Sequence, residues 1–152
     1  MPSATISGAI GEMIACSVIM GFEGWSAAHV PTDGYDLVAF DDVGALRIQV
    51  KSGMPRSESD GRSGWTQFNS GSGGKKKLRH DQYDILCHCS LLERRCIFYA
   101  AASVNKTSQR YPLSAFDDVH KEMVSWEKAV QIVREGFCWW IGLNILILQK
   151  KS

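Results

Sequence analysis

The sequence lacks any hydrophobic run long enough to cross a bilayer. Its most apolar stretch, FCWWIGLNILIL, covers about 12 residues, against the roughly 20 that a membrane helix needs. It also lacks the basic region followed by an apolar run that a secretory signal requires. The five cysteines, an odd number, are therefore expected to be reduced thiols of a cytoplasmic protein with no membrane partner.

A strong net charge is missing too. The formal charge of +1 gives the chain no overall attraction to nucleic acid, so any basic surface must be local. The 152 residues are 45% hydrophobic and 22% charged, which predicts one globular domain over residues 1–152 with a sizeable core.

The order of apolar patterns predicts the fold class. Apolar residues at helical spacing mark the first 20 residues and a second stretch from Val119 to Val133. Between them lie short strand-like runs: three before Ser52, a possible one in GWTQF, and a pair in YDILCHCS and RRCIFYAAA. This order predicts a mixed α/β domain.

The stretch YDLVAFDDVGALRIQVKSG, residues 35–53, predicts a β-hairpin that turns at Asp41 to Gly44. In that register Asp36 lies opposite Gln49, and Lys51 follows two residues later on the same face, roughly 6–7 Å away. The other face is wholly apolar. A carboxylate, an amide oxygen and an ammonium group are therefore expected to meet at one end of the hairpin.

These three groups suit phosphodiester hydrolysis. Carboxylate and amide oxygens are hard ligands of the kind that Mg²⁺ binds. A neighbouring lysine can orient a metal-bound water or neutralise charge that builds on the phosphate in the transition state.

The motif resembles the core of the PD-(D/E)XK nucleases, with Tyr35-Asp36 where Pro-Asp is usual and Gln49-Val50-Lys51 where acid-x-Lys is usual. Glu12, in GAIGEMIACSVIMGF, matches the glutamate that this family often carries on the preceding helix. The Gln-x-Lys form resembles the branch that includes the cyanobacterial group I intron-encoded homing endonuclease, and so does the later segment DQYDILCHCSLLERRCIFYAA.

The resemblance implies a restriction-endonuclease-like core over residues 5–112, with a mixed central sheet flanked by helices, and a C-terminal helical region over 113–152. It implies a homing-type endonuclease that cuts double-stranded DNA with Mg²⁺, for which Mn²⁺ is expected to substitute. Asp36 would be the principal metal ligand, completed by Gln49 and the Val50 carbonyl. Lys51 would position the attacking water, and Glu12 would hold a second metal or a metal-bound water. Cleavage of both strands implies a dimer or tetramer, with the Trp126 helix and the apolar tail as candidate contacts.

The segment from Lys51 to Arg79 is a candidate DNA contact. It holds seven basic residues and two acidic ones, a local charge of +5, among glycines and serines that let a chain follow a phosphate backbone. Sequence preference is expected from ordered parts, with Arg47, Arg56 and GWTQF as candidates. The predicted contacts are Arg47, Arg56, Arg62, Trp65, Lys75, Lys76, Lys77 and Arg79.

Cys87-His88-Cys89 is interpreted as buried strand cysteines rather than zinc ligands, because no second ligand pair stands at finger spacing. Three other functions stay open. A Holliday junction resolvase shares the Glu, Asp and x-Lys arrangement but normally carries an acid where Gln49 stands. A catalytically decayed DNA-binding module is favoured by the same glutamine. A membrane-associated or assembly protein would use the apolar tail.

Overall fold

The structure is a computed structural model that describes residues 3–54, 65–70 and 79–149, with side chains through residue 136. Two α-helices enclose the strands in chain order: α1 covers Ala4–Met20 and α2 covers Val119–Gln149. The Oγ of Ser3 accepts a hydrogen bond from the Ile6 amide and caps α1. Because α2 extends from Val119 to Gln149, the predicted second helix and the apolar tail form one continuous helix.

The strands of the described residues are β1 Ser26–His29, β2 Leu37–Phe40, β3 Ala45–Gly53, β4 Trp65–Asn69, β5 Ile85–Ser90, β6 Arg95–Ala100 and β7 Ser108–Pro112. Five of them form a mixed sheet in the order β1-β2-β3-β5-β6, in which β3 and β5 are parallel and the other pairs are antiparallel. The other two, β4 and β7, pair antiparallel as a separate ribbon. Short 3₁₀ turns at Ala101–Ser103 and Leu113–Phe116 precede β7 and α2.

The predicted hairpin register is confirmed. Phe40 pairs with Ala45 and Val38 with Arg47 across β2 and β3, and the turn is held by the Asp41 carboxylate, which accepts hydrogen bonds from the amides of Val43 and Gly44. Because successive side chains of a strand alternate between the two faces of the sheet, Gln49 and Lys51 of β3 lie on the face opposite to Ile48 and Val50.

The two faces of the sheet are covered differently. On one face, apolar strand residues pack with Ala15 and Ile19 of α1 and with Trp126 of α2 in the main core. Phe68 of β4 and Tyr111 of β7 pack together in a second cluster over the other face, where Phe68 stacks on His88 of β5. The chain therefore builds three layers: two helices, the five-stranded sheet and the ribbon.

The cysteines of β5 and β6 lie in the helix-side core, since Cys87, Cys89 and Cys96 are at most 1% exposed and all are free thiols. Burial raises the pKa of Cys87 and Cys96. The prediction of buried strand cysteines is confirmed. Over the described ranges, no helix combines the length and the apolarity that a bilayer span demands.

Candidate active site

Asp36 stands immediately before β2, held on both sides by backbone hydrogen bonds. Its amide donates to the Ile48 carbonyl at 2.8 Å, and its carbonyl accepts from the Val30 amide at 3.0 Å. Its carboxylate Oδ2 accepts two further hydrogen bonds, from Gln49 Nε2 at 2.8 Å and from the Val50 amide at 2.7 Å. The structure thus brings together Asp36, Gln49 and Val50, which the sequence predicted to share a site.

The Val50 carbonyl points to the same side of β3 as the Val50 amide. The Ile48 carbonyl and the Val50 amide both point toward β2, as the two bonds to Asp36 show. The N–H and C=O of one strand residue point to the same side of the strand. The Val50 carbonyl therefore faces the chain segment that precedes Leu37, the first residue of β2. The site therefore gathers a carboxylate, a side-chain amide and a main-chain carbonyl.

Lys51 lies two residues beyond Gln49 on the same face and is half-buried. Its cross-strand partner in β5 is His88. Burial, and secondarily the positive charge of Lys51, lower the pKa of His88 from 6.5 to about 3. Lys51 and His88 are therefore direct neighbours across β3 and β5.

Glu12 lies on the helix side of the sheet. Gly11, its neighbour in α1, packs directly on Ser52 of β3, so a Cβ at Gly11 would collide with that side chain. The Glu12 carboxylate binds His29 Nε2 through its Oε2 at 2.6 Å, and His29 pairs with Leu37, the residue after Asp36. No pattern in the sequence indicates this partner, which lies 17 residues away on another element.

Arg47 is engaged within the protein. Its guanidinium donates to both carboxylate oxygens of Asp84, at 3.0 and 3.2 Å, and to the Asp81 carbonyl at 3.1 Å. The Asp84 side chain also accepts from the Arg47 amide at 2.7 Å. The hydrogen bond to Asp84 raises the pKa of Arg47. These contacts join β3 to the segment before β5 and engage the guanidinium within the protein.

The other predicted DNA contacts are divided by what the structure describes. Trp65 begins β4 and is 49% exposed, and Arg79 is exposed before β5. The remaining five lie outside the described residues: Arg56, Arg62, Lys75, Lys76 and Lys77.

The donor set fits a hard cation better than a soft one. In the described part of the chain, no group of three or more His, Cys, Asp or Glu side chains is placed to hold a metal. The site instead offers one carboxylate, from Asp36, together with the side-chain amide of Gln49 and the main-chain carbonyl of Val50. Mg²⁺ accepts such ligands and retains several waters, so the residues present fit this ion.

No protein-family model matches the chain, and no curated protein shows significant sequence similarity to it. Among solved structures, the chain is similar to that of a bacterial homing endonuclease, I-Ssp6803I, with a TM-score of 0.64 and 15% sequence identity. The match covers 93% of this chain and 99% of that chain. At this identity the likeness establishes the fold, and the predicted mixed α/β architecture, with a mixed sheet flanked by helices, is confirmed.

Proposed function

We propose that this chain is a Mg²⁺-dependent, homing-type DNA endonuclease of the PD-(D/E)XK class in its Gln-x-Lys form. The observation that carries the proposal is the cluster of Asp36, Gln49 and Val50 at the start of β2, with Lys51 beside it on β3. The likeness in fold to a bacterial homing endonuclease supports it.

Asp36, Gln49 and the Val50 carbonyl would hold the metal. When bound, Mg²⁺, or Mn²⁺ in its place, would neutralise charge on the scissile phosphate and lower the pKa of a coordinated water. Asp36 Oδ2 is committed to Gln49 and Val50, and its Oδ1 receives no hydrogen bond from the residues described. With one carboxylate, we expect weak affinity for the free ion, which DNA phosphates strengthen by adding oxygen ligands.

Lys51 orients the attacking water and stabilises the negative charge that develops on the phosphate. Its half-buried position favours both roles, because partial exclusion of water strengthens its electrostatic effect. Glu12 would hold a second metal or a metal-bound water through Oε1, since its Oε2 is bound by His29.

One observation favours a second candidate, a non-catalytic DNA-binding module. The neutral amide of Gln49 satisfies the Asp36 carboxylate at 2.8 Å, where a second acid would repel it and create a need for a cation. A module that has lost hydrolysis would bind DNA and leave it intact at any Mg²⁺ concentration.

The proposed enzyme acts as a dimer or tetramer, because one active site cuts one strand. Its two-fold partner is expected to pack on the last four turns of α2. This part of the helix carries the apolar FCWWIGLNILIL segment.

Nicking and cleavage assays with Mg²⁺ on linear duplex and on four-way junction DNA test the function. We expect the wild type to cut duplex, and Asp36→Asn and Lys51→Ala to lose at least about 100-fold in rate with DNA binding retained. Asp42→Asn, in the exposed turn of the same hairpin, is the matched control and should cut normally. Cleavage of junctions alone would indicate a resolvase, and undiminished nicking by Asp36→Asn would refute the assigned site.

A further inference from the structure

The β4–β7 ribbon has two chemically distinct faces. Thr66, Phe68 and Tyr111 are buried against the sheet, at most 6% exposed. The alternate residues face outward in three cross-strand pairs: Trp65 with Pro112, Gln67 with Arg110, and Asn69 with Ser108. The outward face therefore carries an indole, two amides, a hydroxyl and a guanidinium group.

These outward groups have few partners within the chain. Arg110 is exposed and forms no ion pair with any acidic side chain that the structure describes. Gln67 Nε2 donates to Ser108 Oγ at 2.9 Å, which fixes the plane of the amide and leaves its oxygen directed elsewhere. Trp65 keeps about half of its surface exposed. An outward guanidinium flanked by amides has the donors and acceptors to bind another molecule.

The ribbon is also held rigidly. The hydroxyl of Tyr111 bonds to His88 Nδ1 at 2.7 Å, and the ring of Phe68 stacks on the same imidazole with centroids 4.7 Å apart. Gly53, two residues after Lys51, lies so close to Phe68 that a Cβ there would come within 2.7 Å of the ring. The outward face is thus fixed in position relative to the candidate cleavage site.

The dimensions and chemistry match the major groove of B-form DNA. Two strands about 4.8 Å apart fit a groove about 12 Å wide, which admits a two-stranded ribbon. Successive outward pairs lie about 6.8 Å apart along the ribbon, the length of two base steps of about 3.4 Å. Arginine binds guanine O6 and N7, and asparagine and glutamine bind adenine N6 and N7. The deep, narrow groove of A-form RNA would exclude the ribbon.

We propose that the outward face of the β4–β7 ribbon reads base edges in the major groove, with Arg110, Gln67 and Asn69 as the residues that set sequence preference. This rests on the proposed function, since it specifies how the endonuclease would choose its site. Three outward pairs span about 14 Å, so one ribbon covers roughly four base steps. Arg110 and Gln67, paired across the strands, read neighbouring positions.

The test is selection of bound duplexes from a randomised pool without divalent metal, so that no hydrolysis occurs, for wild type, Arg110→Ala and Gln67→Ala. Each variant should lose its preference at one or two positions, with discrimination falling about 5- to 150-fold there and the other positions unchanged. Lys106→Ala is the control, because it also removes an exposed positive charge but lies before β7. It should leave the selected sequence unaltered.

Each outcome bears on one proposal. Variants that select the wild-type sequence, a control that alters it equally, or a wild type that cuts DNA without sequence preference would each overturn base reading by the ribbon and leave the nuclease assignment intact. A wild type that neither binds nor cuts duplex DNA would overturn the proposed function itself. Circular dichroism and melting of each variant establish that the fold is kept.

Discussion

His88 provides a quantitative test of how the ribbon is attached to the sheet. The imidazole is fully buried, and its two nitrogens bind Tyr111 Oη at 2.7 Å and Ser70 Oγ at 3.1 Å. Tyr111 Oη also forms a hydrogen bond with the Tyr99 hydroxyl at 2.7 Å. Because burial lowers its pKa, His88 is a neutral imidazole, so one ring nitrogen donates and the other accepts.

The pKa of His88 gives the magnitude. Burial first, and the charge of Lys51 second, lower it to about 3, whereas the unfolded chain titrates near 6.5. Between these values the unfolded state binds the extra proton, so the free energy of unfolding falls as the pH decreases, by about 1.4 kcal/mol per pH unit. From well above pH 6.5 down to pH 5 the accumulated loss is about 2 kcal/mol, a large part of the 5–15 kcal/mol typical of a domain.

The assay is urea unfolding, followed by tryptophan fluorescence, at pH 7, 6 and 5 for the wild type and for His88→Gln. The variant should show a shallower pH dependence. Glu122, whose pKa burial raises, contributes in the opposite direction but equally to both proteins. If the His88 imidazole titrated near pH 6 in the NMR spectrum of the folded wild type, the reasoning would be refuted, whether or not the variant folds.

Three further predictions concern the site and the ribbon. Gly53→Ala should lower the free energy of unfolding by about 1–3 kcal/mol, because the new methyl group meets the ring of Phe68. In the same urea assay Gly44→Ala should be near neutral, because the turn leaves open space for the methyl group. Gln49→Glu should keep Mg²⁺-dependent cleavage and tighten Mn²⁺ binding measured by calorimetry, since it adds a carboxylate to the site; complete loss of cleavage would show that the amide has a further role. Simultaneous alanine substitution of Lys75, Lys76, Lys77 and Arg79 should weaken binding to all duplexes alike and reduce the salt slope by roughly 0.9 per lost contact. An unchanged slope would leave these four residues without a DNA role.

The hairpin was predictable because its information is local. An Asp-rich turn fixes the register of two alternating strands, and the register alone places Asp36 opposite Gln49. The buried cysteines also followed from their position on an apolar strand.

Features that depend on distant partners were not predictable. β7 has the polar sequence SQRYP and is a strand only because β4 pairs with it, so no apolar alternation marks it. Arg47 has the positive charge expected of a DNA contact. Its partner Asp84, however, lies 37 residues away in the sequence and comes close only through the parallel pairing of β3 with β5. Glu12 and His29 meet for the same kind of reason, since they lie on different elements.

The ribbon joins segments that are remote in the chain, and this affects how the protein folds. Gln67 and Ser108, in contact across it, lie 41 positions apart in the sequence, and the whole β5–β6 hairpin lies between them. Contacts of such long range carry a loop-closure cost that local structure must first reduce. We therefore expect the β5–β6 hairpin and the helices to assemble first and the ribbon to dock last, onto His88. Mutations in the ribbon should accordingly accelerate unfolding while leaving the folding rate nearly unchanged.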